Sequence, residues 1–292
     1  MSSQKSPRIV IFGATGRVGR LLAQRLSEKG CDLFCTGRNE AALRTLPGEY
    51  AIIDLNAPTG NEAVIRSGDI VINTVHARYT SRIASLCPPD ISRYIVIGST
   101  RYRSRIPDRK ADEVRDAAAF LRASDLPWVL LHPTMIYGAE GENNVQRMAA
   151  LIRRFHFVPM PGGGHALIQP VHVLDVVEAV TRTIERPDVR DIEIDVGGPQ
   201  SLPYAQFLHA IAQANRTWVK VVPLPLSLVR LAAKITTALP GVPTIRDAEV
   251  VRLQEDKDID VTAAGDRLGL YPRSLEDGLR LTFEPELAAD GA

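Results

Sequence analysis

Short apolar runs alternate with amphipathic segments through the first half of the chain. The apolar runs, which predict strands buried on both faces, cover residues 9–12, 33–36, 50–53, 69–73, 93–97 and 128–131. Apolar residues that recur every three or four positions predict helices, first from Val18 to Leu26 and then at 40–46, 62–67, 81–86 and 112–123. Strands alternating with helices predict an α/β fold with a parallel, doubly wound sheet and right-handed crossovers.

The pattern changes beyond residue 138. Helices are predicted at 144–154 and 175–185, a Pro/Gly turn at 160–164 and a strand at 191–196. Later segments are mostly helical, with a Val/Pro-rich extended piece at 218–225 and an amphipathic segment at 224–239. We expect residues 1–137 to form one domain. Residues 138–292 are expected to complete the sheet at about 165–198 and to form a small, mainly helical C-terminal lid.

Gly13, Gly16 and Gly19 join the first predicted strand to the first predicted helix. Glycines at this spacing provide a tight turn, a close approach of the backbone to a pyrophosphate, and close packing of helix on strand. The helix N-terminus adds free N–H groups and a partial positive charge. The motif therefore predicts a bound dinucleotide; the alternative is a nucleotide fold that has lost its ligand.

Ligands of such sheets bind at the carboxyl ends of the strands. We therefore expect the first turn and the later strand ends to contribute further residues to the dinucleotide site. These residues are Thr15, Arg17, Val18, Arg38, Asp54, Leu55, Thr74 and Pro133. Lys110 is a further candidate, which only the family resemblance described below implies.

Composition and charge exclude several other classes of protein. The 292 residues carry a net charge of +1, so no global charge draws the chain to nucleic acid or to an anionic membrane. Three cysteines without metal-ligand spacing indicate reduced thiols in a cytosol-like compartment, and we expect a cytoplasmic protein. The N-terminus does not resemble a signal peptide, and no apolar run reaches the roughly 20 residues of a membrane span. The six histidines also lack metal-ligand spacing, so no metal is expected.

Several motifs in order resemble a known family. They are Gly-Ala-Thr-Gly-Arg-Val-Gly at 13–19, Gly-Ser-Thr at 98–100, His-Pro-Thr-Met-Ile-Tyr-Gly at 132–138 and Gln-Pro-Val-His-Val-Leu-Asp at 169–175. Together they resemble the extended or atypical short-chain dehydrogenases/reductases, which belong to an NAD-dependent epimerase/dehydratase-like superfamily. The most similar branch includes the nucleotide-binding accessory subunit of mitochondrial complex I. The resemblance implies an NAD(P)-binding Rossmann domain followed by a substrate-binding lid.

Two arginines predict which coenzyme binds. An acidic residue after the second strand binds the ribose 2′-hydroxyl of NAD, whereas an arginine accommodates the 2′-phosphate of NADP. Here the second strand is followed by Arg38, and Arg17 lies in the glycine loop. We therefore expect NADP. The resemblance places Asp54 at a position that contacts adenine; the alternative for Asp54 is a turn cap.

The resemblance also implies a catalytic tyrosine four residues before a lysine, with a Ser or Thr that orients the substrate oxygen. Thr100 and Lys110 match two of these positions, but Ile106 stands where the tyrosine should be. Tyr102 and Tyr137 are the candidate substitute acids. For both phenols the alternative is a packing or loop role.

Five cations crowd the loop after the fifth strand: Arg101, Arg103, Arg105, Arg109 and Lys110, with Asp108 the only acid in that stretch. Such a loop suits an anionic substrate, for which Arg101 and Arg103 are the predicted contacts. The alternatives are a solvated surface or a docking patch for an acidic partner. Tyr137 and Asn143 are further candidate substrate contacts, although Asn143 is also placed to cap the next helix.

Two functions follow from these features. The first is an NADP-binding oxidoreductase or epimerase that acts on a small anionic carbonyl or hydroxyl compound. The second is a non-catalytic NADP-binding sensor or assembly factor, which the missing tyrosine favours. The expected partner is a small-molecule substrate, and a homodimer is a further candidate; neither nucleic acid nor stable membrane insertion is expected.

Overall fold

The computed structural model describes residues 7–57, 64–139, 141, 145–225, 227, 252 and 254–284. Its centre is a parallel sheet with the strand order β11-β6-β5-β4-β1-β2-β3. The sheet strands are β1 (Ile9–Phe12), β2 (Leu33–Gly37), β3 (Glu49–Ile52), β4 (Ile70–Asn73), β5 (Arg93–Ile97), β6 (Trp128–Pro133) and β11 (Ile192–Val196). The strand order reverses at β1, which puts β1 and β4 at the switch point of a doubly wound sheet. The predicted fold class is confirmed.

Helices cover both faces of this sheet. The helices among the described residues are α1 (Arg17–Glu28), α2 (Glu40–Leu43), α3 (Thr80–Ala84), α4 (Arg109–Arg122), α5 (Val145–Phe155), α6 (Val173–Glu185), α7 (Tyr204–Ala214), α8 (Thr262–Leu268) and α9 (Leu275–Phe283). Of these, α5, α7 and α9 belong to a smaller lobe rather than to the faces of the sheet. Ile9 and Ile11 of β1 pack with α1 and α6, whereas Val10 and Phe12 pack with the α3–α4 side. The uninterrupted apolar run of β1 follows from this two-sided burial, because alternate side chains face opposite layers.

Three strand pairs lie outside the main sheet. Parallel pairs join β7 (Ile136–Tyr137) to β10 (Val171–His172) and β8 (Phe157–Pro161) to β13 (Lys220–Leu224). An antiparallel pair joins β9 (Leu167–Ile168) to β12 (Leu202–Pro203). A third apolar cluster unites α5, α7 and α9 with β8, through residues such as Ile152, Met160 and Phe207. This cluster is the core of the smaller lobe.

The local predictions were wrong in two places. Residues 64–67 are not helical, and the first two residues of the helix predicted at 62–67 lie outside the described residues. Residues 160 and 161 end β8, so the predicted turn at 160–164 is confined to a 3₁₀ turn at Gly162–Gly164. The reason is long-range pairing, since Met160 lies opposite Pro223 of β13. Most of the amphipathic segment at 224–239 lies outside the described residues, apart from Leu224, which ends β13.

Candidate dinucleotide and substrate site

The glycine loop bends the chain from β1 into α1. Gly13 has φ +86°, and a Cβ there would lie 2.6 Å from Val75 Cγ1. A Cβ at Gly19 would lie 2.3 Å from the Gly13 carbonyl oxygen, which confirms close packing of the helix on the loop. Gly16 differs, because it is exposed and caps α1 with φ −74° and ψ 170°. Its bare Cα therefore faces a potential ligand rather than the protein.

The first turn of α1 offers hydrogen-bond donors. The N–H of Arg20 donates to the Gly16 carbonyl at 2.9 Å, as the first bond of the helix. The preceding N–H groups of Arg17, Val18 and Gly19 have no partner inside the helix. The Val18 side chain packs against the core, whereas the Arg17 side chain is exposed. This turn can receive a phosphate, since both its N–H groups and the helix dipole favour an anion.

A cleft of 370 Å³ opens beside this turn, at the carboxyl ends of β1, β2, β3 and β4. The predicted residues that line it are Gly13, Thr15, Gly16, Arg38, Asp54, Leu55 and Thr74. The Thr74 hydroxyl is already engaged, because it lies 2.8 Å from the Phe12 carbonyl oxygen and 3.0 Å from that of Gly13. Thr74 thus ties the end of β4 to the glycine loop. We call this space the dinucleotide cleft.

Arg38 and Asp54 lie at the adenosine end expected for this cleft. The exposed Arg38 follows β2, and no ion pair within 4 Å involves it among the described residues. Asp54 accepts hydrogen bonds from the backbone N–H and the side-chain amide of Asn56, both at 3.0 Å. The backbone bond from Asn56 lowers the pKa of Asp54, and the Arg38 charge lowers it further. Asp54 is therefore a turn cap, and its contact with adenine stays a prediction.

A second cavity of 570 Å³ lies at the carboxyl ends of β5 and β6. Thr100 lines it, and the Thr100 hydroxyl donates to the Pro133 carbonyl at the end of β6, at 3.3 Å. Ser99 also lines it and accepts from the Arg101 N–H at 3.2 Å. The opposite wall comes from residues 255–259 together with Arg252 and Tyr204. This second cavity is the candidate substrate site.

Neither candidate tyrosine lines the second cavity. Tyr137 is only 1% exposed, stacks edge-on against His172, and burial raises its pKa well above the usual range. The prediction of Tyr137 as a substrate contact or acid is therefore wrong, because the ring is enclosed in the smaller lobe. Tyr102 is half-buried, with its ring centroid 4.3 Å from that of His132. Burial raises the pKa of Tyr102 as well, and its placement favours the packing role kept above as the alternative.

Lys110 does not line the second cavity either. Lys110 is the second residue of α4, where its side chain is exposed, and its charge lowers the pKa of nearby His76 at the edge of the dinucleotide cleft. Lys110 is thus nearer to the dinucleotide cleft than to the substrate site. Asn143 lies outside the described residues.

The arginine-rich loop is not a field of free cations. Arg103 pairs with Asp195 at 2.5 Å, and Arg109 pairs with Glu113 at 3.1 Å. Asp108 receives two guanidinium groups, those of Arg101 at 2.9 Å and of Arg252. Asp108 is the only acid within this stretch of sequence, but the fold brings further carboxylates from β11 and α4 against it. Arg101 and Arg252 thus share one carboxylate, and Glu255, Asp256 and Asp258 line the same cavity.

The motif at 169–175 serves the architecture. His172 caps α6 by accepting the Leu174 N–H at 3.3 Å. Asp175 is 4% exposed, pairs with the Arg273 side chain at 3.2 Å and accepts the Arg273 N–H at 3.3 Å. Asp175 thereby holds the segment before α9. Within the described ranges no group of three His, Cys, Asp or Glu side chains could hold a metal ion.

Sequence reasoning missed the wall of the second cavity that follows residue 251. Arg252, Glu255, Asp256 and Lys257 line that wall, and Tyr204 contributes from the start of α7. No local pattern marks these residues, because they reach the cavity only through pairing with β9. The only feature of the sequence that could have pointed to these residues is the close alternation of acidic and basic side chains at 252–257. In the part of the chain that the structure describes, no helix is both long and apolar enough to cross a membrane.

Comparison with known proteins identifies related chains. A family model described as NAD(P)H-binding matches residues 13–153, and a model of the NAD-dependent epimerase/dehydratase family matches residues 110–197. A relative is the mitochondrial NADH dehydrogenase (ubiquinone) 1 alpha subcomplex subunit 9 of Arabidopsis thaliana, 23% identical over 76% of this chain. The match spans 61% of that relative's length.

Two solved structures share the fold. A UDP-glucose 4-epimerase from Thermotoga maritima, solved with UDP-glucose, has a TM-score of 0.69 and 16% identity, with 97% of this chain and 99% of that chain covered. A short-chain dehydrogenase/reductase superfamily protein from Agrobacterium tumefaciens with bound NAD has a TM-score of 0.68 and 13% identity, with coverage of 97% and 99%. The matched residues 13–197 therefore belong to the NAD(P)-binding, epimerase/dehydratase-like short-chain dehydrogenase/reductase superfamily.

Proposed function

We propose that the protein is an NADP-dependent oxidoreductase or epimerase that acts on a small anionic carbonyl or hydroxyl compound. One observation carries the proposal: a bare glycine backbone and Arg38 line the same cleft. Gly16 suits a pyrophosphate, and Arg38 suits a phosphate on the adenosine ribose. The coenzyme would then reach from this cleft toward Thr100 at the end of β5.

Charge favours NADP over NAD. Arg38 and Arg17 both have exposed side chains near the glycine loop. Asp54, the acidic residue that lines the cleft, is committed to its turn through Asn56. A carboxylate that selects NAD would instead follow β2, where Arg38 stands. The match to an NAD-bound structure concerns the fold alone.

The second cavity supports the substrate class. When bound, the coenzyme supplies or accepts a hydride. Thr100 lies at the strand end where an orienting hydroxyl is needed, with its oxygen still able to accept a hydrogen bond. Four cationic side chains line the cavity beside three carboxylates. Of the cations, Arg101 and Arg252 share the single carboxylate of Asp108 and are the groups that would bind a substrate carboxylate or phosphate.

A non-catalytic NADP-binding sensor or assembly factor is the second candidate. Ile106 replaces the tyrosine that the superfamily's usual chemistry needs, and Tyr137 is enclosed in the smaller lobe. The relative from Arabidopsis thaliana is named as a subunit of NADH dehydrogenase (ubiquinone), and that similarity supports this second candidate. The exposed Arg105 and Arg109 would then face an acidic partner protein.

Single-turnover assays separate the two candidates. The purified protein is loaded with NADPH, mixed with a panel of small carbonyl acids and phosphate esters, and followed by loss of NADPH fluorescence. We expect oxidation with at least one anionic carbonyl and a weaker response to its neutral amide or alcohol analogue. The Gly16→Ala variant serves as the binding-deficient control. Tight NADPH binding without turnover across the panel would favour the sensor.

A further inference from the structure

The wall of the second cavity that follows residue 251 is held in place by hydrogen bonds that main-chain N–H groups donate. The Lys257 N–H donates to the Leu167 carbonyl at 2.8 Å, and the Leu167 N–H donates to the Asp256 carboxylate at 2.8 Å. Two residues further on, the Ile259 N–H donates to the Gln169 side-chain oxygen at 2.9 Å. Residues 256–259 are thus fixed alongside β9, so their side chains are positioned before any ligand arrives.

Lys257 is the amine of this wall. Its side chain is partly buried and lines the second cavity together with Thr100. Its Nζ donates to two main-chain carbonyl oxygens, those of Arg252 at 2.9 Å and Glu255 at 3.4 Å. An ammonium group has three protons, so one remains for the cavity. These two carbonyl oxygens orient the amine, and no ion pair within 4 Å joins it to a carboxylate among the described residues.

We propose that Lys257 is the catalytic proton donor of the second cavity, acting on the substrate oxygen in place of the tyrosine that Ile106 replaces. This role rests on the proposed oxidoreductase function. In the reductive direction the proton moves from Nζ to the carbonyl oxygen while a hydride reaches the carbonyl carbon from the reduced coenzyme. The carbonyl becomes a hydroxyl, and the neutral amine regains a proton from solvent. Oxidation reverses both transfers.

Other groups on this cavity are less suited to the step. Guanidinium groups keep their protons at any physiological pH, so the arginines that line the cavity cannot serve as the proton donor. The Glu255 carboxylate accepts from Ser104 at 2.7 Å and from the Arg105 N–H at 2.8 Å, so it is committed as an acceptor. Asp256 is similarly committed to Leu167. Tyr204 and the exposed Asp258 are the remaining rivals, because the phenol and the carboxylate also line the cavity.

The surroundings of Lys257 tune it toward proton exchange. Burial lowers the pKa of Lys257 from its usual value, and the charges of Arg252 and Arg101 lower it further. Glu255 and Asp256 oppose this shift. A general acid works best when its pKa approaches the working pH, and the pKa of Lys257 is shifted in that direction.

Competitive labelling tests the amine without needing a substrate. The folded protein is treated with trace acetic anhydride over a range of pH, and the acetylated lysines are quantified by mass spectrometry. We expect Lys257 to gain reactivity at lower pH than the exposed Lys110 and Lys220, which serve as internal references. A Lys257 that titrates with those references, or never reacts while the fold is intact, would overturn the proposal.

Kinetics with the best carbonyl from the panel then test the role. Lys257→Arg keeps the charge but cannot release a proton, so we expect kcat to fall about 10²- to 10⁴-fold while NADPH affinity stays the same. Lys257→Met should behave alike, whereas Tyr204→Phe should keep most of the activity. A Lys257→Arg variant with near-normal kcat, or a loss confined to Tyr204→Phe, would refute the role of Lys257 and leave the oxidoreductase intact. A wild-type protein with no turnover would overturn the oxidoreductase function and this role with it.

Discussion

Replacing Gly16 by alanine should separate coenzyme binding from folding. Gly16 is exposed, and its φ of −74° and ψ of 170° are open to any residue. An added Cβ would meet only the Gly13 carbonyl oxygen, at 3.1 Å. The substitution therefore places a methyl group on the face that the dinucleotide must approach, with little disturbance of the protein itself.

The two effects of Gly16→Ala differ in size. Alanine is a poorer helix cap than glycine by several tenths of a kcal/mol, but it also restricts the unfolded chain by about 0.4–1 kcal/mol, so stability should change by less than about 1 kcal/mol. A methyl group against the pyrophosphate displaces at least one charge-assisted hydrogen bond, worth about 1.5–3 kcal/mol. At about 1.4 kcal/mol per tenfold, NADPH affinity should fall roughly tenfold to a hundredfold.

Gly19→Ala is the matched control. Its Cβ would lie 2.3 Å from the Gly13 oxygen and 2.9 Å from Ala14 Cα, and neither backbone atom can yield without moving the helix. We expect Gly19→Ala to lower the free energy of unfolding by about 1–3 kcal/mol or more. Urea unfolding measures stability, and titration calorimetry measures NADPH binding. If Gly16→Ala binds NADPH like the wild type, or loses binding only by unfolding, the assignment of the pyrophosphate to this loop fails.

Three further predictions concern charge and burial. Arg38→Glu should weaken NADPH by about tenfold or more while changing NADH much less, and calorimetry that finds equal weakening of both would contradict the 2′-phosphate role. Burial, with a smaller contribution from the charge of Arg273, lowers the pKa of His172 from 6.5 to about 3. Between these two pH values the histidine is protonated in the unfolded state but neutral in the folded state, so the free energy of unfolding rises with pH across that window. Acidification from pH 6.5 to 5 should lower the free energy of unfolding by roughly 2 kcal/mol, at about 1.36 kcal/mol per pH unit. The His172→Asn variant should lose this pH dependence, whereas the control His209→Asn should keep it. Equal pH dependence of urea unfolding in the wild type and both variants would reject this assignment. Arg93 is 6% exposed and donates at 2.7–2.9 Å to three carbonyls at the end of α6, so Arg93→Met should lower stability by about 3 kcal/mol or more, against a small change for the exposed Arg25→Met. A loss no larger than that of the control would show that those carbonyls find other partners.

The sheet and its dinucleotide cleft were accessible from the sequence because their signals are local. Each buried strand is a short apolar run, and β5 was predicted at 93–97, where the structure has it. The spacing of Gly13, Gly16 and Gly19 specifies a turn and a helix start within a few residues of chain. The loops that follow parallel strands necessarily meet at one edge, so Arg38 and Asp54 were expected near that turn.

The substrate side depended on tertiary structure, because its parts come from distant segments. The burial of Tyr137 follows from packing against His172 and Phe207, which no spacing around residue 137 reveals. Likewise the carboxylates that compensate the arginine-rich loop lie on β11 and α4, so its free charge could not be counted along the chain. The spacing of apolar residues and the glycines of the first turn thus determined the strands and helices of the sheet and the loop that would bind the coenzyme. Long-range pairing alone decided which side chains face the second cavity. It placed Lys257 beside β9 through hydrogen bonds that join distant parts of the chain, such as the bond between Ile259 and Gln169, which are 90 residues apart.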